Sequence, residues 1–195
     1  MLDEENKKQI IINGTNNRYL IKRANRVKNV PKTRAIMNKY NLTMEDLDYN
    51  KQLDLLKEIF LYQLNGEKKV NENSNEYSKE NEIILKEIEN KISSYKQQDL
   101  LKKHFDPEHF ITSEILIPKM VESNMKCYYC SCEMFILYEN VREMSQWSVD
   151  RIDNSRGHNK DNFVLSCLNC NIKRRNRSSD KFLFSKQMNI IKQDS

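Results

Sequence analysis

Two cysteine pairs constrain this chain more than any other feature: CYYC at Cys127 and Cys130, and CLNC at Cys167 and Cys170. In a Cys-x2-Cys turn both thiolates can face one ion, and two such turns complete a tetrahedron around zinc. Residues 131–166 separate the pairs, a longer gap than the ~15–20 residues of a minimal four-cysteine finger. A hairpin therefore has to be inserted between them. A unit of ~55 residues has only a marginal core of its own. Structural zinc contributes on the order of 10 kcal/mol of folding energy in such units. The expected structural ligands are Cys127, Cys130, Cys167 and Cys170. Cys132, the fifth cysteine, either replaces Cys130 as a ligand or stays a free thiol. Disulfides or unmetallated thiols are the alternative for the whole set.

The rest of the composition fits a protein with a modest core. The chain has 195 residues, 31% charged and 38% hydrophobic, which suggests one domain or two small ones. Three glycines and three prolines argue against a loop-rich β-sandwich. No run reaches the ~18 apolar residues of a membrane span, and the opening MLDEENKKQ is too polar and acidic for a secretory leader. The expectation is an intracellular protein with no membrane partner. A reducing compartment favours metal ligation over disulfides. The net charge is +5, unevenly spread. No acidic residue occurs between Asn6 and Tyr40, while Lys22, Arg23, Arg26, Lys28, Lys32 and Arg34 are among the cations there. Phosphates are the commonest partner for such a one-sign field. A solvated arm without a dedicated ligand is the plainer reading.

Residues 1–42 read as this basic arm. Residues 43–66 read as one helix, with Thr43 and Asp46 as a capping box, an apolar stripe through Leu53, Leu56, Ile59, Phe60 and Leu64, and a stop at Gly66. Residues 67–81 are polar and read as a linker. Residues 82–124 are a helical region. Its long helix carries Ile84, Ile88, Ile92 and Tyr95 along one face, continued by Leu100 or Leu101. A short helix over 114–122 is expected to bend or break at Pro118. Residues 125–195 form the cysteine unit with a C-terminal tail. Its expected strands are Trp147–Val149, extending as far as Ile152, and Phe163–Leu165, followed by a helix over 168–177. The fold class is α+β: a mainly helical N-terminal half, then a small stapled unit of cysteine pair, hairpin, cysteine pair and helix.

The segment WSVDRIDNSRGHNKDNFVLSCLNCNIKRR resembles the HNH (ββα-metal) endonucleases of the zinc-stapled type, in a variant that reads DRID where a DH motif is usual. The resemblance covers residues 126–177. It implies a ββα-metal unit that hydrolyses DNA with one Mg2+ or Mn2+ ion, apart from the zinc. Asp150 matches the metal-binding carboxylate at the end of the first strand. Asn162 matches the asparagine that steadies the loop and positions the general base. Asn171 matches the helix residue that helps to bind the catalytic ion. Oxygen donors suit such a hard cation, and thiolates suit zinc. Lys173, Arg174, Arg175 and Arg177 follow on the helix and suit phosphate contact, or else a solvated face.

One position departs from the pattern. The residue after the strand aspartate is Arg151, not histidine. A guanidinium cannot act as a base, because its pKa exceeds ~12; it can bind a phosphate oxygen. His158, in the loop before Asn162, is the candidate replacement base. Otherwise the fold has kept its shape and lost its chemistry. Asp150 and Asp153 also suit simple turn-capping roles. Three functions follow: a metal-dependent DNA endonuclease, a non-cleaving nucleic-acid-binding zinc module, or a structural interaction protein.

Overall fold

The structure, a computed structural model, describes residues 31–65 and 78–188. Most of the basic arm, most of the polar linker, Gly66 and the end of the tail lie outside the described residues. From Thr33 onward the chain forms one compact unit. Its elements are α1 (Ala35–Tyr40), α2 (Tyr49–Asn65), α3 (Lys79–Lys102), α4 (Ser113–Glu122), β1 (Trp147–Arg151), β2 (Phe163–Cys167), α5 (Leu168–Arg174) and α6 (Ser179–Gln187). This is an α+β arrangement, with a two-stranded antiparallel sheet. No helix among the described residues is long and apolar enough to cross a membrane.

Several boundaries differ from the sequence expectation for local reasons. Thr43 and Asp46 do pair, but in one direction: the Thr43 N–H and hydroxyl both donate to Asp46 Oδ2, at 2.8 and 3.0 Å, while the Asp46 N–H goes to the Thr43 carbonyl at 3.2 Å. That pair closes a turn; the helix starts later, where Asp48 accepts the Lys51 N–H at 2.9 Å. Helix α3 begins at Lys79 because Ser78 caps it, accepting the Asn81 N–H at 3.2 Å. Helix α4 runs unbroken through Pro118; a helix this short loses only one backbone bond there.

Helix α2 contributes Leu56 and Ile59, α3 contributes Ile84 and Ile88, and α4 contributes Leu116, Ile117 and Met120, all fully buried. The same hydrophobic cluster takes in Tyr129, Trp147, Val149, Leu165 and Phe182, so the helices and the cysteine unit share one core. The α3 stripe does not continue through Leu100 or Leu101, which are 53% and 86% exposed. Its next inward member is Asp99, fully buried. A helix repeats every 3.6 residues, so 84, 88, 92, 95 and 99 share one face.

Polar contacts fix how the helices meet the hairpin. Gln52 of α2 accepts the N–H groups of Ile136 and Leu137 at 2.9 and 2.8 Å, and returns a hydrogen bond to the Leu137 carbonyl at 3.1 Å. Lys91 of α3 donates to the Trp147 carbonyl and lies 4.7 Å from the indole centroid. The Tyr95 hydroxyl accepts the Val149 N–H at 3.0 Å. Helix α3 therefore runs beside β1, and its C-terminal half reaches the loop between the strands. Strands β1 and β2 pair from Trp147↔Cys167 to Arg151↔Phe163, and α5 follows β2 without a break. Alternation along β1 sets Ser148 and Asp150 on the opposite face from Trp147 and Val149, and it is Ser148 and Asp150 that α5 contacts through Asn171 and Arg174.

Candidate metal centre and cationic cleft

The first cysteine turn is built by backbone bonds. The Ser131 N–H reaches the Cys127 carbonyl at 2.8 Å, and the Cys127 N–H reaches the Cys132 carbonyl at 2.9 Å. The Tyr128 N–H pins the turn to β2 at Leu165, at 2.9 Å. Cys167 caps α5, its sulfur accepting the Cys170 N–H at 3.4 Å. Among the described residues, the sulfurs of Cys127, Cys130, Cys132 and Cys167 all lie within 4.8 Å of one another. Cys130 sits 3.4 Å from Cys132 and 3.9 Å from Cys167, sulfur to sulfur. Four thiolates at zinc's bond length of about 2.3 Å are separated by about 3.8 Å, so the cluster has the size of a zinc site.

The expected ligand set had Cys170 where this group has Cys132. Cys170 is fully buried beside the cluster. Burial, then the neighbouring Cys127 charge, pushes its thiol up to about 12. The hydrogen bond with Cys167 and then burial raise Cys127 to about 12, and burial raises Cys132 to about 12. Thiols so placed stay protonated at neutral pH without a cation. A bound dication would reverse this by stabilising the thiolates.

Asp150 lies in a different environment. It is buried, and Arg174 clasps it: Nε is 2.6 Å from Oδ2, and Nη2 is 2.7 Å from Oδ1. The Tyr129 hydroxyl donates to Oδ2 at 2.9 Å. Arg174 also bonds the carbonyls of Arg151 and Arg177 at 2.5 and 2.7 Å. Expected on a phosphate-facing surface, Arg174 is instead turned inward, 1% exposed. It ties β1 to the end of α5. Lys173, Arg175 and Arg177 are exposed. Asn171 donates to Ser148 Oγ at 3.1 Å and to the Val149 carbonyl at 3.3 Å, which leaves its Oδ1 without a partner among the described residues.

The interstrand loop is held by Asn162. Its Oδ1 accepts the Asp153 N–H at 2.9 Å, and its Nδ2 donates to the Asp153 and Gly157 carbonyls at 3.0 Å each. Asp153 caps a turn, accepting from the Ser155 N–H and hydroxyl at 2.8 and 2.7 Å. Those bonds hold its carboxyl below the usual range.

Sequence reasoning missed Asp99, the residue that organises His158. Asp99 Oδ2 accepts the His158 backbone N–H at 2.6 Å, and Asp99 Oδ1 lies 2.8 Å from His158 Nδ1. The imidazole stacks on Tyr95, with centroids 4.5 Å apart and planes at 25°. Gly157 permits this approach, since a Cβ there would lie 2.3 Å from the His104 carbonyl oxygen. Burial lowers the His158 pKa; Asp99 opposes the shift, and Arg151 and Lys102 add to it. The ring is therefore neutral at pH 7. A carboxylate only accepts hydrogen bonds, so the proton sits on Nδ1 and the lone pair on Nε2. The signal available in the sequence was the α3 stripe, whose next inward position is an acid. A buried acid requires a partner.

His158 lines a cleft of about 570 Å³ between α3, β1 and α5. Asp150, Arg151 and Asn171 line it too, with Lys102 and Arg175. The structure thus brings together five of the expected site residues with one further cation, Lys102. Asp150 is already paired, so the cleft has a surplus of positive charge. Compared with known proteins, the chain matches no family model, no curated protein and no solved structure.

Proposed function

We propose that the chain is an HNH-like endonuclease that hydrolyses DNA phosphodiester bonds with one divalent metal ion, and that its zinc is a separate structural staple. The observation that carries this reading is the neutral His158, fixed by Asp99, facing a cationic cleft. In the proposed reaction His158 Nε2 accepts a proton from the attacking water. Arg151, Lys102 and Arg175 hold the phosphate oxygens. Asp99 stabilises the imidazolium that forms. Asp150 and Asn171 would hold the catalytic Mg2+ or Mn2+, which supplies compensation for charge developing on the phosphate and the leaving oxygen. Asp150 Oδ1 accepts one hydrogen bond, from Arg174, so a lone pair remains for an ion.

A second reading is a zinc module that binds nucleic acid without cutting it. The Asp150–Arg174 clasp favours this one, because the carboxylate is already neutralised. Zinc-saturated protein titrated with Mg2+ or Mn2+ on supercoiled plasmid separates the two. Nicking that needs the added ion supports the nuclease. DNA binding with no nicking at any ion concentration supports the second reading.

A further inference from the structure

We infer that a second groove, between α5 and α6, carries the phosphate backbone of the DNA strand as it leaves the His158 cleft. This rests on the nucleic-acid reading above and extends it to the path of the substrate. The groove encloses about 860 Å³ and is lined by Lys173, Arg175, Arg177 and Lys186, and among the described residues no carboxylate lies in its wall. It shares Ile172, Arg175 and Asn176 with the His158 cleft. The two hollows therefore adjoin at a single turn, the C-terminal end of α5.

That turn carries an unusual backbone. Arg175 has φ 53° and ψ −118°, a conformation that costs a non-glycine residue free energy and recurs at ligand-binding positions. The Asn154 side chain holds it, donating to the Arg175 carbonyl at 3.0 Å. An arginine kept where glycine would be unstrained places a cation at the junction of both grooves. On the far side, Arg177 and Lys186 stand 4.7 and 5.6 Å from the centroid of the buried Phe182 ring. That fixed platform spaces their charges. A phosphodiester backbone is a regular polyanion, and so can place phosphates on both sides of Arg175 at once.

The test is fluorescence anisotropy of a labelled DNA duplex with full-length zinc-loaded protein, across a KCl series without Mg2+. Each phosphate contact contributes about 0.9 to the slope of log K against log salt. Lys186→Ala is expected to reduce the slope by about that amount, with an unchanged melting temperature. Lys181→Ala, also exposed on α6 but outside the groove wall, is expected to leave the slope alone. An unchanged slope in Lys186→Ala, or equal losses in both variants, would overturn the proposed path. The nuclease reading fails separately. A reduced slope in Lys186→Ala with no nicking by wild type keeps the groove and removes the enzyme; intact nicking with an unchanged slope removes the groove alone.

Discussion

Asp99→Asn replaces one carboxylate oxygen by an amide nitrogen, and both oxygens are in use. One takes the His158 backbone N–H at 2.6 Å and the other faces Nδ1 at 2.8 Å. Asparagine keeps a single acceptor. If that acceptor stays with the backbone N–H, the amide NH2 faces the ring. Nδ1 must then accept, the proton moves to Nε2, and the lone pair leaves the cleft. The opposite flip sets NH2 against the backbone N–H in a fully buried site. An unpaired buried donor costs about 1–3 kcal/mol, so the first arrangement wins. The base-competent tautomer then falls to roughly one molecule in five to one in 10². Loss of the charge that supports the imidazolium adds to this, within the 10²–10⁴-fold limit for a missing general base. The expected single-turnover nicking rate is about 10²-fold below wild type. The pH profile supplies a second readout. Burial already places the His158 pKa below its ordinary value, so the base loses activity as pH falls through that lowered pKa. Asp99 opposes the shift, so removing its charge moves the acid limb to still lower pH. A variant within a factor of about three of the wild-type rate, or an acid limb moved to higher pH, would refute the reasoning.

Three further outcomes are expected. On the proposed zinc reading, a chelator is expected to unfold the cysteine unit, because structural zinc in such units contributes on the order of 10 kcal/mol; Trp147, the sole tryptophan and fully buried, would report this as a red shift in fluorescence that reverses when zinc is added back. Asp150→Ala strands a buried Arg174, which costs about 3–5 kcal/mol and lowers the melting temperature by roughly 6–20 °C for a chain of this size; loss of nicking in that variant is informative only alongside its melting curve. Gly157→Ala forces a Cβ against the His104 carbonyl, with an overpacking cost of about 1–3 kcal/mol. It should slow nicking through displacement of His158, seen as a shift in the histidine's NMR titration.

The hairpin was legible because apolar residues alternate and a Cys-x2-Cys turn stands at each end. Strand β2 ran on to Cys167, beyond the expected Leu165, since backbone pairing does not stop where hydrophobicity does. Two central features were hidden in different ways. The Asp99–His158 pair joins an α3 residue to a loop residue 59 positions away; no local pattern links them, although the α3 period pointed inward at Asp99. Arg174 looked like one more cation in a basic run. Yet it lies four residues after the buried Cys170, one turn along the same helix face, so its inward position followed from spacing alone. A thiol cluster that could hold a metal ion was legible from the two pairs, but the roles of Cys132 and Cys170 depend on how two loops close in space.

The most direct measurement is nicking of supercoiled plasmid by zinc-loaded wild type and His158→Gln, each with Mg2+ or Mn2+ and each checked for equal melting temperature and equal DNA affinity. The predicted result is ion-dependent nicking in wild type and a loss of about 10²–10⁴-fold in the variant. Equal nicking by both would contradict the assignment of His158 as the base, and no nicking by either, with DNA bound, would contradict the nuclease itself.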